Sequence, residues 1–128
     1  GNRGLSVRPM ARILIAEDEA AVREFVRRAL QHHGHQVTAV EDGAAALEAL
    51  GQGSFDLLLT DIVMPVMDGI ALALKVAKEH PGLKILMMTG YAAEKQRAHN
   101  LDLLVHEVIT KPFTMEQICH HVETVLAA

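Results

Sequence analysis

Residues Phe55-Asp-Leu-Leu-Leu-Thr60 form an almost unbroken apolar run that ends on an acid, Asp61. A run this short, without helical spacing, reads as a strand buried on both faces, and such strands belong to parallel sheets with helices packed on either side. Four further runs repeat the theme. Arg12-Ile-Leu-Ile-Ala16, Gln36-Val-Thr-Ala-Val40, Lys84-Ile-Leu-Met-Met88 and Glu107-Val-Ile-Thr110 each predict a strand. Between them the period changes. Val22, Phe25, Val26, Ala29 and Leu30 mark one face of a helix that begins near Glu19 and stops near Gly34, a residue suited to the left-handed position after a helix.

Ala44 to Leu50 predicts a short Ala-rich helix closed by Gly51-Gln-Gly53, and Ile70 to His80 a third helix stopped by Pro81-Gly82. Met115, Ile118, Cys119, Val122 and Leu126 mark a final amphipathic helix capped by Thr114. The segment Glu94 to Asn100 has Ala98 as its one apolar side chain, so a helix there is held in place only marginally. The apolar cluster of Leu101, Leu103, Leu104 and Val105 is expected to pack into the core. Strands alternating with helices in this way define an α/β protein, a doubly wound five-stranded parallel sheet with right-handed crossovers.

A chain of 128 residues with half of them apolar supports one domain, expected over 10–128, with 1–9 a tag remnant or disordered leader ahead of Met10. A net charge of −4, with no basic tract, argues against direct nucleic-acid binding. No apolar run is long enough to cross a bilayer, and the single cysteine, Cys119, has no internal partner for a disulfide; a reducing cytoplasm fits best.

In doubly wound sheets ligands gather beyond the carboxyl ends of the strands. Glu17 to Glu19, Asp61, Thr89 and Lys111 each follow or end a predicted strand, so one rim of the sheet collects them all. Two like charges about 4 Å apart repel by roughly 4 kcal/mol at an effective dielectric near 20, so Glu17, Asp18 and Asp61 together require a cation. Mg2+ suits such oxygen ligands and a shell shared with phosphate. The Thr89 hydroxyl and the Lys111 ammonium would hydrogen-bond to a phosphoryl group, with Asp61 the nucleophile candidate because it ends the central strand. Taken singly, each acid reads as a helix cap or a solvated charge, Thr89 and Lys111-Pro112 read as turn residues, and Glu19 is a helix N-terminal acid. Convergence on one rim is what shifts the reading to chemistry. The histidines form no metal-ligand pattern: His32, His33 and His35 at a helix end and His120-His121 on the last helix are expected at the surface.

Ile13-Leu-Ile-Ala-Glu-Asp-Glu19, Asp56-Leu-Leu-Leu-Thr-Asp-Ile-Val-Met-Pro-Val-Met-Asp-Gly69, Met88-Thr-Gly-Tyr91 and Thr110-Lys-Pro-Phe113 resemble the successive motifs of the response-regulator receiver family of two-component systems. The resemblance spans essentially all of 11–128. It implies the CheY-like, flavodoxin-like strand order 2-1-3-4-5. It also implies that Asp61 accepts phosphate from a phosphohistidine on a histidine kinase or histidine phosphotransfer protein. Asp18 would then hold Mg2+ directly, Glu17 through water, and Val63 through its backbone carbonyl, with Thr89 the switch hydroxyl. Lys111 matches the family lysine, and a cis bond before Pro112 is implied as well. The start of the domain, with Asp61-Ile-Val-Met-Pro65 and the Thr-Gly-Tyr loop, further resembles the stand-alone receivers of the CpdR type. That implies output by phosphorylation-dependent protein binding, as an adaptor for protease delivery; a phosphorelay intermediate is the alternative.

The sequence departs from the family pattern at Val108, where many receivers carry an aromatic that turns inward with the threonine. Tyr91 is the candidate substitute, its ordinary role being a loop aromatic packed over the rim. Two rivals stay in view. A haloacid-dehalogenase-like phosphatase would need a second acid two residues after its nucleophile, where Val63 cannot transfer a proton. A binding adaptor that is never phosphorylated would have no use for Asp18, Asp61, Thr89 and Lys111 together. The expectation is therefore a phosphoacceptor rather than an enzyme acting on other substrates.

Overall fold

The computed structural model describes residues 10–101 and 104–128. Its elements alternate as the sequence predicts: β1 (Arg12–Ala16), α1 (Ala20–His32), β2 (Gln36–Val40), α2 (Gly43–Gln52), β3 (Leu57–Asp61), α3 (Gly69–Glu79), β4 (Lys84–Thr89), α4 (Ala92–His99), β5 (Glu107–Thr110) and α5 (Met115–Ala127). The five strands are parallel, in the order β2-β1-β3-β4-β5. Strand order reverses between β1 and β3, so the crevice for a ligand opens beyond Ala16 and Asp61. The leader expected over 1–9, and Leu103 of the predicted cluster, lie outside the described residues.

All five residues of β3 are buried, and they alternate between two cores. Leu57 and Leu59 join Ile13, Ile15, Val26, Leu30, Met88, Ile118 and Val122 beneath α1 and α5. Leu58 points the other way, to Leu14, Leu50, Leu72, Val76, Ile85 and Met87 beneath α2 and α3. Each fully buried side chain of this size contributes about 1.5–3 kcal/mol relative to exposure, so the central strand cannot shift register without forfeiting both cores. Leu101 and Leu104 pack partly against the second core and Val105 is buried within it, as expected for the predicted cluster.

The helix ends follow their local chemistry. Gly34, at φ +92, takes the left-handed position after α1. Asp42 and Asp68 cap α2 and α3 by accepting from Ala45 N–H and Ala71 N–H, and Thr114 with Gln117 forms a reciprocal capping box on α5. The third strand begins at Leu57 rather than Phe55; just ahead of it the Asp56 carboxylate accepts the Arg12 N–H at 2.8 Å. Helix α4 begins at Ala92 rather than Glu94, with the Tyr91 carbonyl accepting from Lys95 N–H; its one buried residue is Ala98.

One expectation is corrected. His35 is buried, not a surface residue: its Nδ1 accepts the Ala11 N–H at 3.1 Å, and this imidazole satisfies a backbone donor at the entry to β1. His33 and His121 are half-buried and pair with Glu123 and Glu107.

Candidate functional site

The rim beyond the strand ends brings the predicted residues together. Asp61 ends β3, Thr89 ends β4, Lys111 follows β5, and Glu17 and Asp18 follow β1. One carboxylate oxygen from each of Glu17, Asp18 and Asp61 lies within 4.8 Å of the other two. Among the described residues no other His, Cys, Asp or Glu cluster has such geometry. The Lys111 ammonium bridges the buried pair, 2.7 Å from Glu17 Oε1 and 3.0 Å from Asp61 Oδ2, with Glu19 Oε1 at 3.9 Å.

The burial of these charges has electrostatic consequences. Glu17 is wholly buried, and burial pushes its carboxyl up from 4.5 to about 7. Hydrogen bonds from Lys111 and from the Glu19 N–H oppose that rise, while the Asp61 charge adds to it. Burial also pulls Lys111 down, but its hydrogen bonds to Glu17 and Asp61, with their charges, outweigh that and hold it above its ordinary value. A lone ammonium thus answers for more than one buried carboxylate, and that imbalance suits a divalent cation. The donor set of three carboxylates, one of them from exposed Asp18, is hard oxygen of the kind Mg2+ takes with part of its water retained.

The acceptor candidate is held at both oxygens. Asp61 Oδ1 accepts the Ile62 N–H at 2.8 Å, and Oδ2 faces Lys111. Thr89 is buried, and its hydroxyl accepts the Tyr91 N–H at 3.1 Å. Lys111 N–H donates to the Thr89 carbonyl at 2.8 Å, which fixes the lysine to the neighbouring strand end, and the bond to Pro112 is cis. Val63 and Tyr91 flank the rim and are 45% and 64% exposed. Val108 is half-buried on β5 beside an open pocket of about 320 Å³ lined by Lys95, His99 and His106.

Three residues of the site went unassigned in the sequence. Gly69 opens α3 against the acceptor strand, where a Cβ would stand 2.1 Å from the Asp61 carbonyl oxygen. The Asp68-Gly69 pair is legible as a turn, but the reason for the glycine is a backbone contact that only the fold creates. Thr60 is buried, its hydroxyl donating to that same Asp61 carbonyl at 2.9 Å. Arg23, in the first turn of α1, donates from Nη1 to the Glu17 carbonyl at 2.8 Å and lies 3.5 Å from the Asp18 carbonyl. Its signal was a cation placed against the helix dipole.

This fold and rim are those of a doubly wound α/β protein with an acidic cluster at the strand ends, and comparison supplies the family: residues 13–123 match the family model of the response regulator receiver domain. The chain belongs to that family, and so to two-component signalling. It is 42% identical to the response regulator receiver protein CpdR of Brucella abortus (strain 2308), over 93% of this chain and 99% of that protein. It is 32% identical to the response regulator MprA of Mycobacterium ulcerans (strain Agy99), of which it spans 50%. Among solved structures it superposes on TrrA of Thermotoga maritima in complex with Mg2+-BeF, with a TM-score of 0.81 at 29% identity, covering 91% of this chain and 99% of that one. The chemotaxis response regulator CheY4 of Vibrio cholerae gives 0.83 at 27%, with the same coverage. The phosphatase rival falls with this assignment. Among the described residues no helix is long and apolar enough to cross a membrane.

Proposed function

We propose that Asp61 is the phosphoacceptor of this receiver, taking a phosphoryl group from a phosphohistidine on a histidine kinase or histidine phosphotransfer protein. The observation that carries the reading is the Lys111 ammonium lying 2.7 Å from Glu17 and 3.0 Å from Asp61, at a rim where Asp18 completes a three-carboxylate cluster. In the transfer, one Asp61 carboxylate oxygen bonds phosphorus as the P–N bond to the donor imidazole breaks, and the released imidazole takes a proton. Lys111 stabilises charge on the phosphoryl oxygens as it spreads in the transition state. The Thr89 hydroxyl keeps its own proton to donate to one of those oxygens while its oxygen accepts from Tyr91.

Asp18, Glu17, Asp61 and the Val63 carbonyl would hold Mg2+, which neutralises phosphoryl charge when bound. The TrrA structure with Mg2+-BeF supports this assignment by likeness. Phosphorylation then controls protein binding, and the resemblance to stand-alone receivers of the CpdR type implies an adaptor role such as protease delivery. Because Val108 is small, the switch runs through Thr89 and Tyr91 rather than through an inward-turning ring on β5.

Incubation with acetyl phosphate and Mg2+ should add one phosphoryl group by intact mass. Chelation of the metal or Asp61→Asn should abolish it, and equal labelling of Asp61→Asn would remove Asp61 from the role.

A further inference from the structure

Arg23 stands at a helix end that disfavours a cation. It lies in the first turn of α1, whose N-terminal dipole end repels positive charge, and beside a carboxylate cluster suited to a cation of its own. Among the described residues no carboxylate pairs with it; it reaches back instead to the two carbonyls that follow β1, Glu17 at 2.8 Å and Asp18 at 3.5 Å. These are the peptides whose planes set the directions of the two acidic side chains. The same loop is tied at its start by Glu17 N–H to the Val40 carbonyl at 3.0 Å, and across its turn by Glu19 N–H to Glu17 Oε2 at 3.1 Å. With the guanidinium removed, the Glu17 and Asp18 carbonyls turn to water, and the loop backbone keeps those two ties and the Glu19 carbonyl's bond from Arg23 N–H, with Lys111 still holding the Glu17 carboxylate.

We infer that Arg23 is a positioning residue for the acidic pair: its Nη1, donating to the Glu17 carbonyl and reaching that of Asp18, locks the two peptides so that both carboxylates meet a divalent cation together. This rests on the receiver reading above. The inference has a sign opposite to that of simple electrostatics. Charge alone predicts that removing Arg23 tightens cation binding, since one repulsive charge disappears. Positioning predicts the reverse, a weakening of about tenfold, as for other groups that orient metal ligands from outside the coordination shell.

The test is a calorimetric titration of Mg2+ into wild type, Arg23→Gln and Arg23→Met at fixed ionic strength, with Asp18→Asn as control. A second readout needs no metal: amide hydrogen exchange at Glu19, whose N–H closes the loop. The expected result is a Kd about tenfold higher in both variants, faster exchange at Glu19 in the metal-free protein, and a metal-free melting curve close to wild type. Arg23→Lys, which keeps one donor, should recover part of the affinity. A Kd unchanged or lower in Arg23→Gln and Arg23→Met overturns the inference. If wild type itself takes up no Mg2+, or binds it no better than Asp18→Asn, the metal part of the receiver reading fails instead.

Discussion

The two sides of the sheet are built by different means. Around β3 every strand residue is buried, apolar cores cover both faces, and Gly69 brings α3 into direct contact with the acceptor strand. At the other side, β5 buries only Ile109 and α4 buries only Ala98. Helix α4 is held instead by polar ties: Lys95 to the Thr110 hydroxyl at 3.2 Å, Arg97 to Asp68 at 3.7 Å, and the Tyr91 N–H to Thr89. Apolar burial resists small displacements through many contacts at once, whereas exposed polar ties exchange readily with water. Asp61 therefore sits on the stiff side, and the element that starts beside Thr89 sits on the compliant one. A chemical event at Asp61 can be registered by α4 without disturbing the core.

The comparison breaks most visibly at the centre. Leu58→Ala should cost about 3–4 kcal/mol in chemical denaturation, because both strand neighbours hold the space open; a loss under about 1 kcal/mol would deny the stiff side its stiffness. Gly69→Ala should follow at about 2–3 kcal/mol, since the atom its Cβ meets is backbone and cannot rotate away.

Third is the buried acid. Glu17 has a folded pKa of about 7 against an ordinary 4.5, so between those values the folded state keeps a proton that the unfolded chain has lost. Metal-free stability should then fall as pH rises from 4.5 to about 7, by an amount on the order of 3 kcal/mol. Lys111, held above its ordinary value, stays charged in both states across that window and does not alter the slope. Urea midpoints at pH 5 and pH 8 in chelator measure it; Glu17→Gln should flatten the slope, and Mg2+ should restore stability at the higher pH.

Val66 offers a smaller gain. It is β-branched at φ +71 and 82% exposed, so Val66→Asn should stabilise by about 1 kcal/mol with no packing lost. The smallest effect belongs to the compliant side. Arg97→Met should cost less than about 0.5 kcal/mol globally, yet hydrogen exchange in α4 should quicken while that in β3 stays the same.

The stiff side was also the legible side. The β3 run and the strand ends at Asp61, Thr89 and Lys111 follow from period and order alone, because burial on both faces leaves an unmistakable apolar run. Thr114 announced its cap, and Gly34 its turn. Features that depend on two distant segments meeting were out of reach: the His35 imidazole under Ala11, the Arg23 guanidinium behind Glu17, and the Asp61 carbonyl that excludes a side chain at position 69. Each involves a backbone partner, and residue type alone does not name a backbone partner. Helix α4 was readable as weakly held but not in its bounds, since one apolar residue cannot fix a register.

The loop from Asp61 to α3 is walled on two sides by helix starts that carry no side chain. A Cβ at Gly43 would meet the Met67 carbonyl oxygen at 2.6 Å, as one at Gly69 would meet that of Asp61. Side chains cushion a contact because they can change rotamer; peptide groups pressed together cannot. The peptides after Asp61 thus have little room to tilt toward α2 or α3, and the open side of the loop faces outward, at solvent-facing Val66.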